Sequence, residues 1–369
     1  MAAPVPTPAL FSPAKVGNIE LQHRVVLAPL TRFRATAAHV HTKLAVEYYK
    51  QRASVPGTML FTEATYIAAK AGGYAHAPGI YTDEQVAAWK EIVDAVHSKG
   101  SFIFLQMWAL GRGALIEELE GHDYVSASDV QPSTSPIPPR PLTVDEIKEY
   151  VRLYTTAASN AVHRAGFDGV EVHAANGYLL DQFIQDVSNK RTDAYGGSIE
   201  NRARLPLEVL DAVTAKVGAE KVGFRVSPWG RYGNMRMEDP IPQFSYLIQQ
   251  ISEKLPNLAY IHVVEPRMEG YLDRKAEAGE SNDFIRDIWA PRPIISAGAY
   301  TRELALEAAE KKGDLVAFGR YFISNPDLPL RLKKNLPLTN YDRDTFYDIE
   351  AAKGYVDYTF APENVAELA

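Results

Sequence analysis

Eight short apolar segments alternate with longer polar or amphipathic segments along this chain. The apolar segments cover residues 24–30, 58–63, 102–107, 169–174, 222–227, 258–264, 293–298 and 314–319. Their apolar residues run on continuously rather than at every second position, which is typical of strands that are buried on both faces of a parallel sheet. We therefore predict eight parallel strands.

Capping residues and apolar stripes predict helices between these strands. Thr82 with Gln85 and Thr143 with Glu146 match the capping-box pattern, and Ser198 is a suitable N-cap for a third helix. After Thr82, the apolar residues recur at helical spacing, as Val86, Trp89, Ile92, Val93 and Val96. Further helices are predicted over residues 242–255, 301–313 and 325–336.

This alternation favours an α/β fold, and specifically a (β/α)8 TIM barrel with additional loop elements over the C-terminal face. We predict that residues 1–369 form one such domain. No G-x-G-x-x-G motif follows the first strand, which disfavours a dinucleotide-binding Rossmann fold. Two long connections, residues 109–142 and 265–282, are expected to be binding loops or lids.

Composition excludes several classes of chemistry. The chain has no cysteine, so disulfides, thiolate catalysis and cysteine-ligated metals are excluded. Its net charge of −7 disfavours nucleic acid and anionic membranes as partners. We find no signal peptide and no apolar run of membrane-spanning length, and we expect a cytoplasmic protein, either a monomer or a homodimer.

In a barrel of this kind, functional side chains lie at the C-terminal ends of the strands. Applied to this sequence, the rule selects Thr31, Gln106, Trp108, residues 173–178, Arg225, Gly298, Gly319 and Arg320. Gly298 and Gly319 let backbone N–H groups approach an anion, and the guanidinium of Arg320 suits phosphate oxygens. The alternative is that these glycines simply end strands and that Arg320 pairs with an acid.

Arg225 is also open to two interpretations. It stands between two apolar residues of the fifth strand, so its charge needs a partner. One candidate is a structural ion pair with Glu171 or Glu63. The other is negative charge on a bound ring such as a reduced flavin, whose pyrimidine edge also suits the amide of Gln106.

The fourth strand ends in three polar residues, His173, Asn176 and Tyr178. They are either ordinary turn residues or a site in which two neutral donors hold a carbonyl oxygen beside a phenolic acid. Metal binding is disfavoured, because His173 has no second histidine at helical spacing and Glu171 is expected on the opposite face of the strand. No G-x-S-x-G motif supports a serine nucleophile.

Motifs along almost the whole chain resemble those of the old yellow enzyme family, the FMN-dependent ene-reductases, and most closely its fungal branch. The motifs are "LQHRVVLAPLTRFRA" (21–35), "EYYKQRASVPGTMLFTEAT" (47–65), "GGYAHAPGIY" (72–81), "LQMWALGR" (105–112), "GFDGVEVHAANGYLLDQFIQ" (166–185), "RTDAYGGSIENRAR" (191–204), "VGFRVSPW" (222–229) and the segment 318–347. Their length and number make a chance match implausible.

The resemblance implies a cofactor, FMN, bound tightly but not covalently, and NADPH as hydride donor. It assigns FMN binding to Pro29, Thr31, Ala64, Gln106, Arg225, Gly298, Gly319 and Arg320. It implies that His173 and Asn176 hold the carbonyl oxygen of an α,β-unsaturated aldehyde or ketone. Reduced FMN would then deliver hydride from N5 to the β-carbon, and Tyr178 would protonate the α-carbon. The pocket would be completed by Thr31, Tyr74, Trp108, Tyr271 and Tyr347.

Two rival functions remain from the sequence. A phosphate-binding barrel lyase or aldolase would need a Schiff-base lysine, and none of the eight strand ends carries one. A flavin-binding protein without catalysis would bind FMN through the same residues but would not need the phenol of Tyr178.

Overall fold

Eight parallel strands close into a barrel in the computed structural model, which describes residues 6–270 and 272–368. They are β1 Val25–Leu27, β2 Met59–Phe61, β3 Phe102–Trp108, β4 Gly169–Ala174, β5 Val222–Val226, β6 Tyr260–Val264, β7 Ile294–Ala297 and β8 Leu315–Phe318. Each strand pairs with the next, and β8 pairs with β1, so the eight strands form a closed ring. A two-residue strand, Thr65–Tyr66, also pairs with the end of β3. The predicted barrel and its eight predicted strands are confirmed.

Helices surround the barrel. They are α1 Lys43–Arg52, α2 Asp83–His97, α3 Val144–Ser159, α4 Leu179–Ile184, α5 Ile199–Val217, α6 Ile241–Lys254, α7 Asp283–Trp289, α8 Arg302–Lys312, α9 Arg320–Ser324, α10 Leu328–Lys334 and α11 Pro362–Leu368. The six helical segments that we predicted between and after the strands are confirmed as α2, α3, α5, α6, α8 and α10. Helices α1, α7, α9 and α11 were not predicted.

The predicted helix starts are confirmed by their hydrogen bonds. Thr82 and Thr143 each form a complete capping box with the residue three positions on, and the hydroxyl of Ser198 accepts the N–H of Asn201. These bonds satisfy N–H groups that have no partner inside the helix. Helix α3 continues as a π-helical turn, Asn160–Ala165, which ends where Gly166 adopts φ 85°.

Apolar side chains fill the barrel interior at its N-terminal end. Val26, Met59, Phe61, Phe104, Tyr260 and Ile295 belong to one buried cluster. A hairpin of Ala14–Val16 and Ile19–Leu21 adds residues to the same cluster and so closes this end. Burying each large apolar side chain contributes roughly 1.5–3 kcal/mol. This apolar cluster does not extend to the C-terminal end of the barrel, where the polar side chains lie.

Both long connections contain short ordered elements. Segment 109–142 carries two 3-10 turns and a short strand pair, Val125–Ser126 with Arg140–Pro141. Segment 265–282 carries a hairpin of Met268–Glu269 and Leu272–Asp273. Tyr271, which we predicted as a pocket residue, lies outside the described residues. Among the residues that are described, no helix is long and apolar enough to cross a membrane.

Candidate active site

A cleft of about 450 Å3 opens at the C-terminal ends of the strands. Eight of the residues predicted from the sequence line it: Pro29, Thr31, Asn176, Arg225, Gly298, Gly319, Arg320 and Tyr347. They come from β1, β5, β7, β8, the turn after β4 and the C-terminal segment. Closure of the barrel therefore brings together residues that are up to about three hundred positions apart in the sequence.

Six other predicted residues do not line this cleft. Ala64, Gln106, Trp108 and His173 are buried, each 5% exposed or less. Tyr74 and Tyr178 line a separate, smaller cavity of about 50 Å3. The smaller cavity reaches the surface at Leu115, which is 41% exposed. The predicted residues thus form two adjoining groups rather than one pocket wall.

A buried hydrogen-bond network lies inside the barrel beneath the cleft. The carboxylate of Glu171 accepts hydrogen bonds from Gln106 Nε2 at 2.7 Å and from His262 Nδ1 at 2.8 Å. Our expectation that Glu171 points to the opposite face from His173 is wrong. Residues two apart on a strand share a face, so both side chains point into the barrel.

Arg225 is buried, but no described residue forms a hydrogen bond with its guanidinium. It is 7% exposed, and its Nε is a buried donor without an acceptor. Burial lowers the pKa of Arg225, and the charge of Glu171 opposes that shift only in part. The structure therefore shows no hydrogen-bonded ion pair with Glu171 or Glu63. The guanidinium instead faces the cleft, where a partly anionic ligand would satisfy it.

His173 is a neutral hydrogen-bond donor in this setting. Burial lowers the pKa of His173 well below the usual value, and the positive charge of Arg225 lowers it further, as protonation of His262 would. Its Nδ1 accepts the backbone N–H of Ala175 at 3.3 Å, so the proton of the neutral ring is on Nε2. The ring can therefore donate one hydrogen bond to an acceptor without carrying charge.

The turn after β4 fixes the position of Asn176. Asn176 and Gly177 both adopt left-handed backbone angles, with φ of 57° and 78°. Ser227 Oγ accepts the N–H of Asn176 at 2.7 Å, and the Asp181 carboxylate accepts that of Gly177 at 2.9 Å. The side-chain amide of Asn176 has no hydrogen-bond partner among the described residues and lines the cleft.

Sequence reasoning missed the two residues that hold this turn. Asp181 stands in the first turn of α4, where an acidic residue commonly satisfies free N–H groups, and this signal was available. Ser227 follows β5 and is distant in sequence, so no local pattern indicates its contact with Asn176.

Tyr178 packs between two rings and stays protonated. Its ring centroid lies 4.9 Å from that of Trp108, edge-on, and 5.3 Å from that of His173. Burial raises the pKa of Tyr178 well above its usual value, and the neighbouring phenols Tyr74 and Tyr232 add to the shift. A phenol of this kind is a proton donor at neutral pH.

The ends of β7 and β8 form a cradle with little room for side chains. A Cβ on Gly298, which has φ 136°, would lie 3.0 Å from Met268 Cγ, and a Cβ on Gly319 would lie 3.0 Å from Leu30. Arg320 beside them forms an ion pair with Asp273, whose side chain is 51% exposed. The alternative of pairing with an acid is therefore found, but that acid is exposed enough for a phosphate to compete with it.

Comparison with known proteins identifies the family. Residues 9–339 match the model of the NADH:flavin oxidoreductase / NADH oxidase family. The chain is 51% identical over 362 residues to the chanoclavine-I aldehyde reductase fgaOx3 of Penicillium roqueforti, covering 96% of this chain and 97% of the relative. It is 44% identical over 382 residues to enoate reductase 1 of Kluyveromyces lactis, covering 97% and 95%.

Comparison with a solved structure supports the same family. The Old Yellow Enzyme from Pichia sp. AKU4542 has a TM-score of 0.88 and 41% identity, covering 97% of this chain and 95% of that one. The chain therefore belongs to the NADH:flavin oxidoreductase / NADH oxidase family, among the fungal old yellow enzymes. It is an oxidoreductase that uses FMN and a reduced nicotinamide, not a lyase or an aldolase.

The residues at the cleft fit this cofactor. Arg225 presents an unsatisfied buried donor that suits a ring able to carry negative charge. The glycine cradle and Arg320 suit a phosphate, since backbone N–H groups and a planar guanidinium both bind phosphate oxygens. A cleft of about 450 Å3 is within the usual range for small-molecule sites.

Proposed function

We propose that this chain is an NADPH-dependent FMN ene-reductase, built as one barrel domain over residues 1–369, which reduces the C=C bond of α,β-unsaturated aldehydes and ketones. One observation carries the proposal: a neutral His173, an Asn176 amide that no described residue bonds and a protonated Tyr178 lie on one strand and turn beside Arg225. The names of the relatives, an aldehyde reductase and an enoate reductase, support this substrate class.

In this proposal the cofactor lies across the cleft. Its ring would be held by Pro29, Thr31, Ala64, Gln106 and Arg225, and its phosphate by Gly298, Gly319 and Arg320. FMN held by these residues would supply the hydride chemistry that couples oxidation of NADPH to reduction of the substrate C=C bond at the β-carbon. Arg225 contributes a fixed positive charge at the ring, and burial strengthens its effect because few waters screen it.

His173 and Asn176 polarise the substrate carbonyl. The Nε2–H of His173 and the amide of Asn176 donate to the same oxygen, which gains negative charge as hydride reaches the β-carbon. Because both donors are neutral and held by Ala175 and Ser227, they need little reorganisation during the reaction. Loss of one such donor costs on the order of 10²–10³ in rate.

Tyr178 completes the reduction. Its O–H bond breaks as a C–H bond forms at the α-carbon, and the resulting phenolate regains a proton from solvent. The raised pKa of the phenol keeps it protonated before the reaction and makes the phenolate short-lived. Tyr74, Trp108, Tyr271 and Tyr347 would shape the pocket around the substrate.

Replacing Tyr178 with phenylalanine tests the role of the acid. We expect Tyr178→Phe to slow reoxidation of the reduced enzyme by an enone at least about 100-fold, because positioned acids contribute roughly 10²–10⁴ in rate. Reduction of the enzyme by NADPH should change less than about twofold, since it requires no acid. Stopped-flow absorbance of the flavin measures both steps separately.

Tyr124→Phe is the matched control. Tyr124 is also a buried phenol, but its hydroxyl donates to the carbonyl of Arg112 at 2.8 Å and does not line either cavity. This variant should leave both steps unchanged. Equal slowing of both steps in Tyr178→Phe, or slowing of neither, would contradict the assignment of Tyr178 as the acid.

A further inference from the structure

Phe33 has an unusual backbone for an aromatic residue. Its φ is 55°, in the left-handed region that a residue with a bulky side chain rarely adopts. Such a conformation persists only when the surrounding structure imposes it. Thr31 and Arg32, the two residues directly before Phe33, line the cleft, so this left-handed residue lies next to the cleft wall in the chain.

The ring of Phe33 packs between one residue of each cavity. Its centroid lies 5.6 Å from that of Tyr347, which lines the cleft, and 5.9 Å from that of Tyr74, which lines the smaller cavity. Tyr74 in turn stacks on Trp108 at 5.8 Å. We call these four residues, Tyr347, Phe33, Tyr74 and Trp108, the aromatic wall. Phe33 is its central member and is half-buried, so part of its ring stays accessible.

The buried carboxylate of Glu63 bonds the backbone of this segment. Its Oε2 accepts the N–H of Arg32, the residue directly before Phe33, at 3.0 Å. This bond fixes the chain at the point where the left-handed backbone of Phe33 begins.

Glu63 has no hydrogen-bonded cationic side chain as an alternative partner among the described residues. It is 1% exposed, and its nearest basic group, His41 Nε2, lies 3.6 Å away, too far for a hydrogen bond. Burial raises the pKa of Glu63 to about 7 and lowers that of His41 to about 3, so the two do not form a stable ion pair at neutral pH. The one side-chain hydrogen bond that Glu63 forms with the described residues goes to Arg32, in the segment that carries Phe33.

We propose that Phe33 is a specificity-determining residue that favours enals and enones with a flat aromatic substituent, and that Glu63 is the positioning residue that holds it. This inference rests on the proposed function. A planar substituent would pack against the aromatic wall while the carbonyl stays on His173 and Asn176. A compact enone would not reach Phe33 and would gain nothing from it.

The test compares two substrates, cinnamaldehyde and 2-cyclohexenone, in the FMN-loaded enzyme. Phe33→Ala should lower kcat/KM for cinnamaldehyde about tenfold, mainly through KM, and leave that for 2-cyclohexenone within about twofold. Phe284→Ala, the same change at a half-buried phenylalanine on α7, should alter neither value. Equal effects on both substrates, or no effect on either, would overturn the role of Phe33.

Variants of Glu63 test the positioning role. Glu63→Asp keeps an acid but withdraws the carboxylate from the N–H of Arg32, so it should shift the ratio of the two kcat/KM values in the same direction as Phe33→Ala. Glu63→Gln keeps an acceptor in place and should retain the wild-type ratio. In the double variant, Glu63→Asp should add nothing to Phe33→Ala. The positioning role of Glu63 would be overturned if Glu63→Asp kept the wild-type ratio of the two kcat/KM values, or if the two substitutions had additive effects in the double variant.

Different results would overturn the proposed function and the role of Phe33. Wild-type protein that reduces neither compound overturns the proposed function, and this inference with it. Wild-type protein that reduces both, with variants that keep its substrate ratio, overturns this inference alone.

Discussion

Two buried arginines, Arg286 and Arg225, are held in opposite ways. Arg286 on α7 donates to Asp314 at 3.1 and 2.6 Å, to Glu265 at 2.7 Å and to Asp283 at 3.1 Å. Arg225 on β5 has no hydrogen-bond acceptor among the described residues. Burial lowers the pKa of both, but around Arg286 the hydrogen bonds and charges of Asp314 and Glu265 outweigh it and raise the pKa.

The difference separates a structural charge from a functional one. A buried charge without hydrogen-bond partners costs free energy, so a folded protein keeps one only where another constraint applies. At Arg286 three carboxylates of the chain accept hydrogen bonds from the guanidinium and offset that free-energy cost. At Arg225 no described residue accepts a hydrogen bond, the charge of Glu171 offsets the cost only in part, and the residue faces the cleft that a flavin is proposed to occupy.

Removing Arg286 should have the largest effect on stability. We expect Arg286→Leu to lower the free energy of unfolding of the apoprotein by roughly 3–5 kcal/mol, because Asp314 and Glu265 would be left buried without a cation. Urea denaturation measures the change. The exposed Arg204→Leu serves as control and should stay within about 0.5 kcal/mol of wild type. A loss of unfolding free energy below about 1 kcal/mol in Arg286→Leu would contradict the structural role assigned to Arg286.

Removing Arg225 should weaken FMN binding without destabilising the apoprotein. We expect Arg225→Leu to leave the unfolding free energy of the apoprotein unchanged or to raise it by up to about 2 kcal/mol, since an uncompensated charge disappears. The affinity for FMN should fall at least about 100-fold, which a titration of apoprotein followed by flavin fluorescence measures. Arg225→Lys, which keeps the positive charge, should lose less affinity for FMN. An apoprotein destabilised as strongly as Arg286→Leu would assign Arg225 a structural role.

A half-exposed ion pair should show the smallest effect. His97 at the end of α2 bonds the Asp168 carboxylate at 2.9 Å, and this hydrogen bond raises the pKa of His97. The bond's stabilisation is therefore complete below the unfolded pKa of about 6.5 and is lost as the pH rises through the higher folded value. Because the His97 side chain is 39% exposed, we expect only a few tenths of a kcal/mol.

Unfolding free energies measured on both sides of this pH window test that expectation. In His97→Gln the part of the pH dependence due to this pair should disappear. Identical pH dependence in the variant and the wild type would show that the pair contributes nothing measurable.

The barrel was predictable because its signals are local. Continuous apolar runs gave the strands, and the capping boxes at Thr82 and Thr143 gave helix starts to within a residue. Helix α1 was missed because it buries Tyr48, Tyr49 and Arg52 rather than a clear aliphatic stripe. Helix α7 has seven residues, too few for periodicity to decide.

The site was predictable only in part, because its contacts are not local. The strand-end rule and the family resemblance selected residues that the barrel does bring together at the cleft, among them Arg225 and Asn176. They did not predict that Tyr178 lines a second cavity or that Glu63 accepts the N–H of Arg32, since both depend on packing between distant segments. The face of Glu171 was predicted wrongly although strand geometry alone decides it.

The central claim is that His173 and Asn176 hold one oxygen beside a bound flavin, and a phenol titration tests it most directly. Purified protein loaded with FMN is titrated with p-hydroxybenzaldehyde while its absorption spectrum is recorded. We expect a long-wavelength charge-transfer band in the wild type, because the two donors hold a phenolate against the flavin, and a much weaker band in Asn176→Leu with FMN still bound. No band in the wild type, or an undiminished band in Asn176→Leu, would contradict the account.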